Sequence, residues 1–268
     1  MKLERYYSEI YKRYGNVTRA RGCFLYTEKG VRLTDLYQEN GRAILGWGGG
    51  KPVTDLKNVL ARGVTGSFDT VWNHRLEKAV SALLGGERLV AVLPTKAEAL
   101  RTALALSPDN AAIWRPWLPA APDWAAVDAV VLEPPLAWSM DSTLLACTPG
   151  CVPDREAFRE ADRGLVPPLA AAVTRSLYDL RAALAERTET DWFRYDTVLH
   201  AYWERKGPYL YPRSGAVDAA SWPAFVCHCL DCGLVINPSY EEPSIVPYGA
   251  DCGVFRKLLN TPFSLTDR

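Results

Sequence analysis

Apolar positions along this chain fall into segments of distinct spacing. Over the first twenty or so residues Tyr6, Tyr7, Tyr11 and Tyr14 recur at helical intervals among charged positions, which predicts an amphipathic helix. Lys57–Arg62 and Asn73–Leu84 carry the same period. Leu89–Leu93 and Val127–Leu132 are short, unbroken apolar runs of the kind a strand shows when both its faces are covered. Ala97–Leu106 reads as a helix opening directly from a loop. Leu165–Glu186 reads as an alanine-rich helix whose Leu169, Val173, Leu177, Leu180 and Leu184 make one core face. Strands alternating with helices predict a parallel α/β core.

Other stretches lack a period. Trp114–Asp123 is dense in proline and aromatic residues and predicts a surface loop; residues 136–164, with Pro149, Gly150 and Pro153, predict an irregular, shortened connection. Asp191–Trp203 predicts a further helix and Tyr209–Tyr211 a short strand, followed by a helix opened by Pro223 and closed by Gly233. There are no internal repeats and no low-complexity linker.

Several segments, in order, resemble the class III (fold type I) pyridoxal-phosphate-dependent aminotransferases. Gly22–Leu36 followed by Gly41–Gly48 is similar to that family's N-terminal hairpin. Thr70–Ala79 and Arg88–Ala99 resemble its helix, strand and phosphate loop, and Val127–Pro135 its strand ending in Glu-Pro. Gly164–Ala172 resembles the helix that follows the cofactor lysine, and Gly233–Phe255 the small domain. The resemblance covers roughly two thirds of the chain and implies a reduced three-layer α/β core of the fold type I PLP-transferase kind with a small α+β C-terminal domain. It divides the chain into an N-terminal segment (1–50) contributing to the small domain, a reduced large domain (51–185) and the C-terminal small domain (186–268). It also implies a homodimer, in which the N-terminal tyrosines, Gly66-Ser67-Phe68 and Arg163-Gly164 face a twin subunit; packing within one chain is the competing reading for the tyrosines.

The departures bear on function. Transamination needs a lysine amine to hold the cofactor and shuttle protons, and no lysine lies between Lys96 and Lys206. The phosphate loop reads Pro94-Thr95-Lys96, so proline stands where the resembling enzymes place a donor, and the flexible glycine is lost. Only about thirty residues separate Pro134 from Gly164, where the family places further strands, an aspartate for the cofactor's ring nitrogen and the lysine. The residues left to hold a cofactor phosphate or a small anionic ligand are Thr95, Lys96, Ala97 and Glu133. No catalytic residue is assigned. Recruitment of Lys206 or Lys96 to hold pyridoxal phosphate is the alternative; Lys257 and Lys206 otherwise read as surface lysines.

Composition narrows the classes. A net charge of +0 with 48% hydrophobic residues gives material for a core and no electrostatic attraction to nucleic acid or anionic membrane. No apolar run reaches the ~20 residues of a membrane helix, and the start does not resemble a signal peptide, which predicts a cytoplasmic protein. Of seven cysteines, Cys227, Cys229, Cys232 and Cys252, with His228, carry potential metal donors, but Cys-x-Cys-x-x-Cys lacks paired knuckles and reads better as buried helix positions. Cys147 and Cys151 form a further pair, and an odd count argues against a disulfide framework. None of His74, His200 and His228 lies beside a serine elbow, and Gly46–Lys51 lacks phosphate-loop spacing. Three readings result: a degenerate aminotransferase-like binding, regulatory or partner subunit; an enzyme using the old cleft; or a purely self-associating shell.

Overall fold

A computed structural model describes residues 1–264; the last four residues of the expected 186–268 segment lie outside the described residues. The chain opens with α1 (Leu3–Tyr14), β1 (Val17–Arg21), β2 (Phe24–Thr27) and β3 (Arg32–Asp35). There follow α2 (Gly50–Ala61), α3 (Val71–Leu84), β4 (Leu89–Leu93), α4 (Lys96–Leu106), β5 (Ala111–Ile113), β6 (Ala129–Leu132), β7 (Thr143–Cys147), α5 (Arg155–Ala161) and α6 (Pro167–Glu186). The chain continues through α7 (Glu189–Phe193), α8 (Asp196–Leu199), β8 (Trp203–Lys206), β9 (Tyr209–Pro212), α9 (Trp222–Asp231), β10 (Leu234–Val235), β11 (Ser244–Ile245) and α10 (Arg256–Asn260). Contacts divide it into two units, one built from residues 1–48 with 187–268 and one from residues 49–186.

The second unit is a three-layer α/β structure. Its sheet has the order β4-β7-β6-β5. Odd positions of the strands, such as Ala91, Leu93, Val131 and Leu145, share a buried cluster with Ala99 and Ala103 of α4 and Phe158 of α5. On the opposite face Val90 and Val92 line a small cavity with Leu76 of α3 and Ala170 of α6. With both faces covered, β6 and β7 are buried at every residue. Local chemistry sets the helix starts: Thr70 caps α3 by accepting the Trp72 N–H, and Asp154 caps α5 by accepting from Glu156 and Ala157.

Three expectations are corrected here. The sheet is mixed rather than parallel, because β7 runs antiparallel to both β4 and β6 and only β5 and β6 are parallel neighbours. Residues 136–164 are not an irregular connection, since they contain β7 and α5. Helix α2 begins at Gly50, upstream of the expected Lys57. Along α6 the expected stripe holds, with Val173, Leu177 and Leu180 buried.

The first unit joins both ends of the chain in one sheet of order β1-β2-β3-β10, where β10 runs parallel to β3, and adds a small sheet of order β11-β9-β8. The amino-terminal helix spans the four tyrosines of the expected pattern and stops at the last of them, Tyr14, and residues 17–21 form an edge strand. Gly15 ends it with φ 72°, and its N–H bonds to the Tyr11 carbonyl. Gly46 has φ 97°, and a Cβ there would stand 3.3 Å from the Gly22 Cα, so glycine permits the close Gly22–Trp47 bridge. The expected Asp191–Trp203 helix breaks into α7 and α8, and Trp203 starts β8 instead. Pro223 and Gly233 bound α9 as expected.

Candidate functional site

In the second unit, Thr95, Lys96, Ala97 and Glu133 gather at one end of the sheet. Leu93 at the carboxyl end of β4 pairs with Thr143, and Leu132 at the carboxyl end of β6 pairs with Leu144, so the first residues of β7 lie between the two strand ends. Two strand spacings place β4 and β6 roughly 10 Å apart. Thr95 caps α4, its hydroxyl accepting the Glu98 N–H at 3.1 Å. Lys96 and Ala97 follow in the helix's first turn; Thr95 and Ala97 are exposed and Lys96 is half-buried. Glu133, also half-buried, accepts a 3.2 Å hydrogen bond from the Thr143 hydroxyl through Oε1. The carboxyl ends of strands are where ligands settle in open α/β sheets. This end carries a helix start and a lysine for an anion, and a carboxylate already tied to β7.

The donor set does not fit a covalently held pyridoxal phosphate in the usual manner. The connection from β6 to β7, residues 133–142, contains no lysine, and Thr143–Cys147 contains neither amine nor carboxylate. Lys206 and Lys257 belong to the first unit and are exposed. Lys206 Nζ stands 3.4 Å from Glu204, and Lys257 donates to the Asp231 carbonyl.

The remaining sequence candidates separate. Cys229 and Cys232 are buried, Cys227 and Cys252 are partly so, and among the described residues no group of three or more His, Cys, Asp or Glu is arranged to hold a metal. Burial pushes the Cys23 thiol up to about 11 and also raises those of Cys147 and Cys229, against the thiolate a nucleophile requires. His74 is exposed and 3.9 Å from Glu77. His228 Nε2 lies 2.8 Å from the Thr261 carbonyl.

One feature in the first unit escaped the sequence reading. A cavity of about 420 Å³ opens between α1 and the hairpin, lined by Tyr6, Tyr7, Tyr11, Tyr37 and Trp47, by Asp35 and Glu39, and by aliphatic residues such as Ile10 and Leu25. Asp35 is 1% exposed. It accepts hydrogen bonds from Trp47 Nε1 at 2.6 Å and from the backbone N–H groups of Tyr37 and Gln38 at 2.9 and 2.8 Å. Burial nevertheless pushes its carboxyl up to about 6, the three donors opposing that shift. Its only mark in the sequence is an acid inside the run Leu33-Thr34-Asp35-Leu36.

The chain is 27% identical to an uncharacterized protein of Treponema pallidum (strain Nichols), over 91% of this chain and 93% of that one. No protein-family model matches it. Among solved structures it is similar to an ornithine aminotransferase from Plasmodium yoelii (TM-score 0.64, 13% identity, 97% of this chain and 99% of that one). An acetylornithine aminotransferase from Elizabethkingia anophelis gives 0.64, 13%, 97% and 100%, and a transaminase with PLP bound 0.70, 14%, 97% and 98%. The fold is therefore that of the class III PLP-dependent aminotransferases. Identities this low carry the fold and not the chemistry.

Proposed function

We propose that this protein is a reduced relative of the class III aminotransferases that has lost transaminase chemistry and acts as a binding, regulatory or partner subunit. The observation that carries the reading is the pairing of β7 with β4 on one side and β6 on the other. Both hydrogen-bonding edges of β7 are used, and the connection from β6 contains only residues 133–142. In the resembling enzymes further strands and the cofactor lysine follow the Glu-Pro strand; here the next strand is the antiparallel β7, Thr143–Cys147. The end of the sheet keeps Thr95, Lys96 and Ala97 at the start of α4, which supports retention of a small anionic ligand without covalent attachment, with Glu133 beside them to accept from that ligand's own donors.

Lys96 favours a second reading, in which pyridoxal phosphate is held by a recruited lysine, because it is carried at the same end of the sheet as Glu133. The two readings part in a turnover assay. Protein supplied with excess pyridoxal phosphate and offered ornithine, acetylornithine or β-phenylalanine with an oxo-acid acceptor is expected to form no product above the protein-free control. Sustained turnover contradicts the first reading.

The same proposal includes a homodimer in the cytoplasm. Phe68, Val71 and Val166 of the second unit are 60%, 63% and 60% exposed, and the proposed self-association would cover them. Among the described residues no helix is long and apolar enough to cross a membrane. Sedimentation at micromolar concentration is expected to show a dimer, and a monomer there removes this part.

A further inference from the structure

We propose that the tyrosine-lined cavity of the first unit binds a small organic ammonium ion. Its volume of about 420 Å³ lies within the range of small-ligand pockets. Its walls combine tyrosine and tryptophan rings and the acidic residues Asp35 and Glu39 with aliphatic side chains such as Ile10 and Leu25, and among the described residues no lysine, arginine or histidine lines it. Electron-rich ring faces together with nearby negative charge attract organic cations and offer little to anions.

The geometry assigns separate parts. Asp35 is fixed by its three donors and supplies negative field from beneath the cavity. Glu39 is partly exposed and stands at the rim. The backbone that carries it is left-handed at three successive non-glycine residues, Gln38 (φ 48°), Glu39 (φ 49°) and Asn40 (φ 56°). Residues rarely hold this conformation unless their surroundings enforce it. Gln38 Nε2 bonds to the Asp35 and Val246 carbonyls, and Asn237 Nδ2 donates to Asn40 Oδ1 at 3.1 Å. Tyr6 is held by a 2.7 Å hydrogen bond to the Ile236 carbonyl and meets the Tyr37 ring edge-on at 5.9 Å. Tyr7 and Tyr11 remain 48% and 60% exposed, which leaves ring surface for a guest.

Two other occupants fit less well. A hard metal cation requires six or more oxygen ligands, whereas these walls are mostly aromatic and aliphatic and Asp35 is already engaged. A second copy docked symmetrically would set this acidic patch against itself.

Calorimetric titration of the full chain with benzyltrimethylammonium, against benzyl alcohol as a neutral ligand of similar ring size, tests the site. The cation is expected to bind saturably with one-to-one stoichiometry and at least about tenfold more tightly than the alcohol. Glu39→Gln and Tyr11→Leu alter partly exposed side chains and are each expected to weaken the cation severalfold without moving the melting temperature. Absence of saturable cation binding, equal binding of the alcohol, or an unchanged affinity in Glu39→Gln overturns the proposal. So does a dimer, broken by Tyr11→Leu, that excludes the cation. The ligand comparison uses the unmodified chain, so it stands even if a variant folds poorly. The site lies in the first unit and does not depend on the fate of transamination in the second.

Discussion

Asp35 shows how one side chain couples folding to pH. Burial raises its carboxyl to about 6 from an ordinary 3.8, so between those values the folded chain holds a proton that the unfolded chain has released. This contribution to stability is complete below about pH 4 and is lost as pH rises through about 6, at most about 3 kcal/mol. Asp35→Asn stays uncharged throughout. The melting temperature of the variant minus that of the parent is therefore expected to climb between pH 4 and 7, whatever constant offset the amide introduces; a flat difference contradicts the assignment. Tyr6→Phe removes the buried donor to the Ile236 carbonyl and is expected to cost about 1–3 kcal/mol in a denaturant titration. The Thr95 cap has a local signal, Thr-x-x-Glu ahead of an apolar run, which the expected helix start at Ala97 did not use, whereas the buried state of Asp35 has none. Its neighbours mark a strand, but nothing local announces that Trp47, twelve positions on, returns to donate to it.

Among the elements, β7 decides how the second unit is closed. Leu145 at its centre is fully buried, and Leu145→Ala is expected to destabilise by about 2–5 kcal/mol through lost burial and the cavity left behind. Thr95→Ala removes only the hydroxyl cap of α4 and is expected to cost about 1 kcal/mol. Denaturant midpoints check both, and an order reversed would mean that the strand is peripheral. The long amphipathic face of α6 was readable because its period persists over many turns, and the runs at β4 and β6 because they are apolar throughout. Leu144-Leu145-Ala146-Cys147 is equally apolar, yet its five-residue strand, Thr143–Cys147, ends two residues before Pro149-Gly150, and the surrounding punctuation masks it. The break between α7 and α8 was hidden for a different reason. Trp192, Tyr195 and Leu199 keep a helical interval and are all buried, so the period survives the turn that interrupts the backbone.

At the scale of the molecule, sequence order was the most informative signal, because separately weak resemblances to class III aminotransferases followed one another correctly and the fold agrees with them. Strand direction was not legible: adjacent runs say nothing of whether the chain reverses, and only the pairing registers reveal the mixed sheet. The second unit is continuous in sequence and carries its own three-layer core, so residues 49–186 expressed alone are expected to give a cooperative thermal transition; a broad, non-cooperative one would show that the core relies on the rest of the chain. On the proposed reading this scaffold persists without a lysine holding the cofactor. That reading is tested most directly by adding pyridoxal phosphate to the intact protein, reducing with borohydride and locating any adduct by peptide mass spectrometry. No aldimine absorbance band and no site-specific adduct are expected, while a stoichiometric adduct on Lys96 or Lys206 would contradict the loss of transaminase chemistry.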